Sequence, residues 1–343
     1  MKKHNFAGLN LRVDAENWPL KAPFRIAGHT WVDLNVVVVT LEHRTCVGRG
    51  EAAGVFYLDD NVPAMVRRIE GVREAIEAGI DRMSLQRLLP AGGARNAVDC
   101  AFWDLEAKLS GRSAWETAGL GRPRPLLTTF TCGAAEPEQM AATARTYTNA
   151  RAIKLKLTGE PVDGERVRAV REARDDVWLG VDGNQSLTRA SLERLIPVLT
   201  EMRVALIEQP FLVAEDALLD NLRSPIPIAA DESVQGLADI SRLAGRFNIV
   251  NIKLDKCGGL TEGLAMARVA RDLGLDSMVG NTLGTSLAMA PAFLLGQLCS
   301  VVDLDGPVFL KTDRVTAVRY TEGFIECPES IWGDAGEHPN IKS

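Results

Sequence analysis

From about Leu126 to Pro307 the chain repeats one unit, a short β-rich run followed by a segment of helical periodicity. Eight such runs are readable: LLTTFTC, AIKLKL, VWLGVDG, ALIEQP, IPIAADES, IVNIKLDK, DSMVGN and VVDLDGP. Segments between them, such as Ser191 to Thr200 and Thr261 to Leu273, place apolar residues at helical spacing. This rhythm fits an α/β fold with a TIM-type (β/α) barrel better than an open doubly wound sheet. Barrel strands are buried on both faces and should therefore read as nearly continuous apolar runs.

Several of them do not. In the second run Lys154 and Lys156 share one parity while Ile153, Leu155 and Leu157 share the other. In the sixth, Asn251, Lys253 and Asp255 alternate with Val250, Ile252 and Leu254, and in the eighth Asp303 and Asp305 alternate with Val302 and Leu304. Successive side chains of a strand point to opposite faces, so if the apolar set meets the helices the charged set faces the barrel axis. The third, fourth and fifth runs each end on a carboxylate: Asp182, Glu208 and Asp231. Lys156, these three and Lys253 follow one another at intervals of 22 to 26 residues, about one strand–helix unit. That spacing predicts one level around the C-terminal mouth, where barrel enzymes keep their chemistry.

Three inward carboxylates repel one another where the dielectric is low, and a hard divalent cation resolves the conflict. An all-oxygen set suits Mg²⁺, with Mn²⁺ as the alternative. For any one of these carboxylates alone, a helix N-cap after a strand is the competing explanation. Lysines are rarely buried without a partner, yet Lys154, Lys156 and Lys253 all point inward. A lysine beside another cation has a depressed pKa, so Lys154 is expected to lower that of Lys156, fitting it as a general base, and to help hold an anionic substrate. Strands two and six lie opposite each other, so Lys156 and Lys253 would flank one substrate carbon. The competing reading is a set of structural ion pairs, Lys253 with Asp255 for instance. The histidines His4, His29, His43 and His338 all lie outside the expected barrel strands.

The first third has another organisation. Leu9–Val13, Trp31–Leu41 and Thr45–Ala52 read as strands, and Val62–Ala78, Ser84–Leu89 and Ala94–Leu109 as helices. Strands first and helices after predict a segregated α+β unit. Leu120–Pro125 carries two prolines and a glycine and reads as a linker. Domain boundaries are therefore expected at 1–122, 123–307 and 308–343, the last segment returning to the first unit. A net charge of −6 argues against nucleic acid as a partner. No apolar run is long enough to span a bilayer, and the N-terminus lacks the pattern of a secretory signal. The six cysteines are scattered without a Cys-x-x-Cys pair, as expected of reduced thiols in a cytoplasmic protein.

Taken together, the motifs KLK (Lys154, Lys156), VDGNQ (Asp182), IEQP (Glu208), ADES (Asp231) and NIKLDKCGG (Lys253) resemble the muconate-lactonizing-enzyme subgroup of the enolase superfamily. The first third resembles that family's capping domain, and ARNAVDCAFWDLEAKLSG its long helix. The resemblance implies catalytic Lys156 and Lys253, a metal on Asp182, Glu208 and Asp231, a small carboxylate substrate and a homo-oligomer. Asn184, Glu232 and Asp255 adjoin these motifs and are expected to stand behind them.

The Asp-x-Asp pair at Asp303 and Asp305 resembles the signature of dipeptide epimerases, where it holds the substrate's α-ammonium. A loop-start role before Gly306-Pro307 competes with that reading. Where many epimerases carry Cys-Met after the seventh strand, this chain has Asn281 and Thr282. Arg25 lies where the family's mobile capping loop meets substrate, and it would pair there with an acidic side chain or remain a surface arginine. The resemblance thus implies a dipeptide epimerase, with an N-acylamino acid racemase as the nearest alternative. A cycloisomerase, a dehydratase forming o-succinylbenzoate and a catalytically inert binding protein are the further ones.

Overall fold

The computed structural model describes residues 8–336. His4, His338 and the ends of the chain lie outside the described residues.

Strands β1 (Asn10–Ile26), β2 (His29–His43) and β3 (Cys46–Ala52) form an antiparallel sheet. The VVVV run of β2 explains itself by position. Val37, Val39 and Leu41 join the core of the N-terminal unit, while Leu34, Val36 and Val38 on the other face join the main core. Helices α1 (Val62–Glu70), α2 (Arg73–Glu77), α3 (Arg82–Leu88) and α4 (Gly93–Ser110) follow. Helix α4 lies so close to β3 that a Cβ on Gly48 or Gly50 would stand 2.3 Å or 2.1 Å from its carbonyls. The single helix expected over Val62–Ala78 is two, because the chain turns at Gly71 and Val72.

LLTTFTC also divides. Its β4 (Leu126–Leu127) pairs with the C-terminal tail, and only β5 (Phe130–Cys132) enters the barrel. The parallel barrel continues in chain order through β6 (Ala152–Lys156), β7 (Trp178–Asp182), β8 (Val204–Glu208), β9 (Ile228–Ala230), β10 (Ile249–Lys253), β11 (Asp276–Gly280) and β12 (Val301–Val302). At the seam Thr129 N donates to Val302 O at 3.0 Å and Leu304 N to Thr128 Oγ1 at 3.0 Å. Not every strand carries its helix: a 3₁₀ turn, Val213–Leu219, follows β8, and another, Gly306–Phe309, follows β12. Hairpin β13 (Arg319–Thr321) and β14 (Phe324–Glu326) extends β4 beside the seam. Further along the tail, Trp332 Nε1 donates to Cys100 O on α4 at 3.0 Å.

Asp255 is not part of the sixth barrel strand. Beyond Lys253 the chain turns into the short helix Leu254–Cys257, which ends the two-residue alternation. Among the described residues no helix is long and apolar enough to cross a membrane.

Candidate active site

Three of the barrel strands are apolar one step below the mouth. Leu206, Ala229 and Met278 stand two residues before Glu208, Asp231 and Gly280 on the same strand face, and with Ile249 they form a buried apolar cluster. The barrel floor is thus dry and its mouth ionic. Lys156, Asp182 and Glu208 are direct register partners across β6, β7 and β8. Glu208 pairs with Ala229, however, so Asp231 lies two residues further along its strand. Strand tilt in a closed barrel absorbs this stagger. Ligand oxygens of Asp182, Glu208 and Asp231 all lie within 4.8 Å of one another, and all three residues are buried.

Each carboxylate of this triad accepts from two donors, at least one of them a lysine. Lys156 Nζ donates to Asp182 Oδ2 at 2.5 Å, and Asn184 N donates to the other oxygen at 2.8 Å. Glu208 accepts from Lys154 Nζ at 3.0 Å and from Asn251 Nδ2 at 2.7 Å. Asp231 accepts from Lys253 Nζ at 2.6 Å and Lys256 Nζ at 2.5 Å. Burial, with Asp182 beside it, pushes Glu208 up to about 7. Burial works to raise Asp231 as well, but the ammonium groups of Lys253 and Lys256 override it and hold it low. Burial likewise opposes charge on Lys154 and Lys253, yet their carboxylate partners raise both above the usual lysine value. At Lys154 and Lys253 carboxylate attraction thus outweighs burial, whereas at Lys256 burial prevails and holds the ammonium below the usual lysine value.

The donor chemistry fits a hard divalent cation. Three carboxylates converge on one point, and the buried oxygens Asn184 Oδ1 and Glu232 Oε2 beside them have no hydrogen-bond partner among the described residues. Asn184 and Glu232 are joined at 3.4 Å, and burial with Asp231 nearby pushes Glu232 up to about 8. Asp255 stands elsewhere. It accepts from Gly54 N at 3.1 Å, Asn96 Nδ2 at 3.4 Å and Thr282 Oγ1 at 3.0 Å, tying the N-terminal unit to the barrel.

Asp303 and Asp305 follow β12 and reach the same cavity, whose volume is about 610 Å³ including its open mouth. Asp303 is already engaged, by Lys154 Nζ at 2.5 Å and Thr129 Oγ1 at 2.5 Å. Asp305 accepts from Thr131 N at 2.7 Å, and burial beside Asp303 pushes it up to about 6. Arg25 is exposed, and the cavity is lined instead by its neighbours Phe24 and Ile26. The strand alternation that brings those two inward turns Arg25 away.

Two supporting residues escaped the sequence reading. Lys256 follows Lys253 by three residues across a helical turn, so strand parity conceals it. Gln209 Oε1 accepts from Asp231 N at 2.9 Å and Ser233 N at 3.1 Å, fixing the fifth-strand loop from the fourth. The only signal for it was its place next to Glu208 in IEQP.

Residues 9–119 match the mandelate racemase/muconate lactonizing enzyme N-terminal domain, and residues 139–331 the enolase C-terminal domain-like family. The chain belongs to this family of the enolase superfamily. It is 39% identical to the L-Ala-D/L-Glu epimerase of Escherichia coli strain K12, over 91% of this chain and 98% of that one. It is 34% identical to the N-acetyl-D-glutamate racemase of a Pseudoalteromonas species, over 88% and 96%.

Among solved structures, an Agrobacterium tumefaciens enolase family member with homology to dipeptide epimerases, holding sodium and L-Ala-L-Glu, superposes with a TM-score of 0.92 at 37% identity. That match covers 95% of this chain and 100% of the other. A Methylococcus capsulatus dipeptide epimerase complexed with Mg and L-Arg-D-Lys gives 0.88 at 30% identity, over 95% and 98%.

Proposed function

We propose that the chain is a Mg²⁺-dependent isomerase that inverts an α-carbon of a dipeptide by proton transfer between two lysines. Epimerase and racemase relatives support the reaction class. The observation that carries the two-lysine reading is that Lys156 and Lys253 approach the carboxylate triad from strands four apart in the barrel order. Asp182, Glu208 and Asp231 would hold the metal. When bound, Mg²⁺ supplies positive charge that holds the substrate carboxylate and stabilises negative charge developing on it. One lysine, as the free amine, takes the α-proton from its face. The other, as ammonium, returns a proton to the opposite face, and the configuration inverts. Lys256 and Gln209 keep Asp231 in position.

Asp305, with Asp303 behind it, would receive the dipeptide's ammonium. A second reading, racemisation of N-acylamino acids, is favoured by the Lys154–Asp303 pair, which leaves less negative charge for an ammonium. The experiment is chiral chromatography of free L,L-dipeptides and N-acetyl-L-amino acids incubated with enzyme and Mg²⁺. Inversion of dipeptides supports the first reading, inversion confined to N-acetyl compounds the second, and inversion of neither overturns both. Six free cysteines support a cytoplasmic location, and light scattering tests the homo-oligomer that the family resemblance implies.

A further inference from the structure

The cavity has two unlike halves. One is the ionic barrel mouth, where each lining lysine already faces a carboxylate at 2.5–2.6 Å. The other is an aromatic wall built from both parts of the chain. Phe309, after the eighth barrel strand, packs against Phe24 of β1 with tilted rings whose centroids are 4.6 Å apart. Phe24 meets Trp31 of β2 at 5.9 Å, and Trp31 meets Phe56 edge-on at 5.3 Å. Ile26 and Leu283 add apolar surface to this wall, and the hydroxyl-bearing Tyr57 and Thr282 line the same cavity.

Leu283 is held there against its own backbone preference. Its φ is 114°, a region that favours glycine, and its N–H is fixed by Asn281 Oδ1 at 3.1 Å. Asn281 is itself anchored through Nδ2 to Asp303 O at 2.7 Å. Strain maintained by its surroundings at a cavity wall points to a functional placement of that side chain. Arg25 and Lys21, the cations near the β1 tip, are exposed, and neither lines the cavity.

We infer that the substrate's side chains are apolar, and that the inverted residue carries an aromatic or branched aliphatic group rather than a carboxylate. The inference rests on the α-carbon inversion proposed above. It separates this chain from the Agrobacterium relative, which holds L-Ala-L-Glu. A carboxylate side chain placed against the aromatic wall would lose water and meet no cation among Phe24, Ile26, Trp31, Phe56, Leu283 and Phe309, whereas a phenyl or isobutyl group fills the wall with apolar contact.

The test compares L-Ala-L-Phe and L-Ala-L-Leu with L-Ala-L-Glu, and in parallel N-acetyl-Phe with N-acetyl-Glu, using the full chain with Mg²⁺. In whichever series is turned over, kcat/KM for the apolar member should exceed that of the acidic member at least 10-fold. A preference for the acidic member overturns the inference and leaves the inversion chemistry standing. Turnover of neither series overturns the proposed function. Binding by calorimetry then decides the inference alone, which fails if the acidic member binds more tightly. Trp31→Arg, which adds a cation to the wall, should shift the Phe-to-Glu ratio at least 10-fold toward Glu. An unchanged ratio in folded Trp31→Arg would count against the wall as the side-chain site.

Discussion

Gly280 ends the seventh barrel strand directly beside Lys253, its register partner, and a Cβ at position 280 would stand 3.0 Å from Lys253 Cε. The same Cβ would lie 2.6 Å from Asn251 Oδ1. Space at this position is therefore reserved for the lysine and for the amide that holds Glu208. Gly280→Ala is expected to lower kcat on the order of 10- to 100-fold by displacing Lys253, with cooperative thermal unfolding retained. A folded variant with wild-type kcat would show that Lys253 has room to spare.

Loading of the carboxylate triad is expected to stabilise the fold. At a Mg²⁺ concentration of about 100 times Kd, binding to the native state alone adds roughly 2.7 kcal/mol. Calorimetric melting of the wild type should move up by several degrees with Mg²⁺ and return with EDTA. Glu208→Gln should lose most of that response while remaining folded. An equal Mg²⁺ shift in the variant would remove Glu208 from the metal site.

A junction away from this site carries its own pH dependence. Asp99 on α4 is fully buried, accepting from Thr261 N at 2.9 Å and Gln86 Nε2 at 2.9 Å. Burial pushes its carboxyl up to about 6 from 3.8, against the pull of Thr261, Arg82 and Arg95. The folded state thus holds this proton more tightly than the unfolded one. Its favourable contribution is fully present below about pH 4 and is lost as pH rises through about 6, a change of about 3 kcal/mol. Asp99→Asn should therefore stabilise the protein at pH 8 and be nearly neutral near pH 4. If the Gln86 amide turns over, giving up its bond to Arg82 O, the new amide can also donate to Gln86 Oε1, which has no partner among the described residues. Urea melts at the two pH values measure this, and a variant less stable at pH 8 would contradict it.

Residues whose positions follow from strand parity were legible from sequence. Lys154, Lys156, Asp182, Glu208 and Lys253 fall where a period of two places them. Asp255 broke that logic because the strand stops at Lys253 and a helical turn begins, a boundary the alternating LDK does not announce. Lys256 was hidden for the same reason. The β1 strand runs on to Ile26, through an irregularity between Pro19 and Phe24, because β2 pairs with it along its length. Only that long-range pairing puts Phe24 and Ile26 into the cavity and leaves Arg25 outside. The upward pull on Lys154 and Lys253 was equally out of reach, since it depends on which carboxylates surround each ammonium.

The central claim is that Lys156 and Lys253 serve opposite faces of one carbon. In D₂O, wild-type enzyme should form product carrying deuterium at the α-carbon from the earliest turnovers, while unreacted substrate keeps its hydrogen. Lys156→Ala and Lys253→Ala should each lose inversion by about 10²–10⁴-fold or more. Each should still exchange the α-hydrogen of one epimer only, and the two variants should act on opposite epimers, as read by NMR. A single-lysine variant that exchanges both epimers, or that still inverts the centre at near wild-type rate, would contradict the two-lysine account.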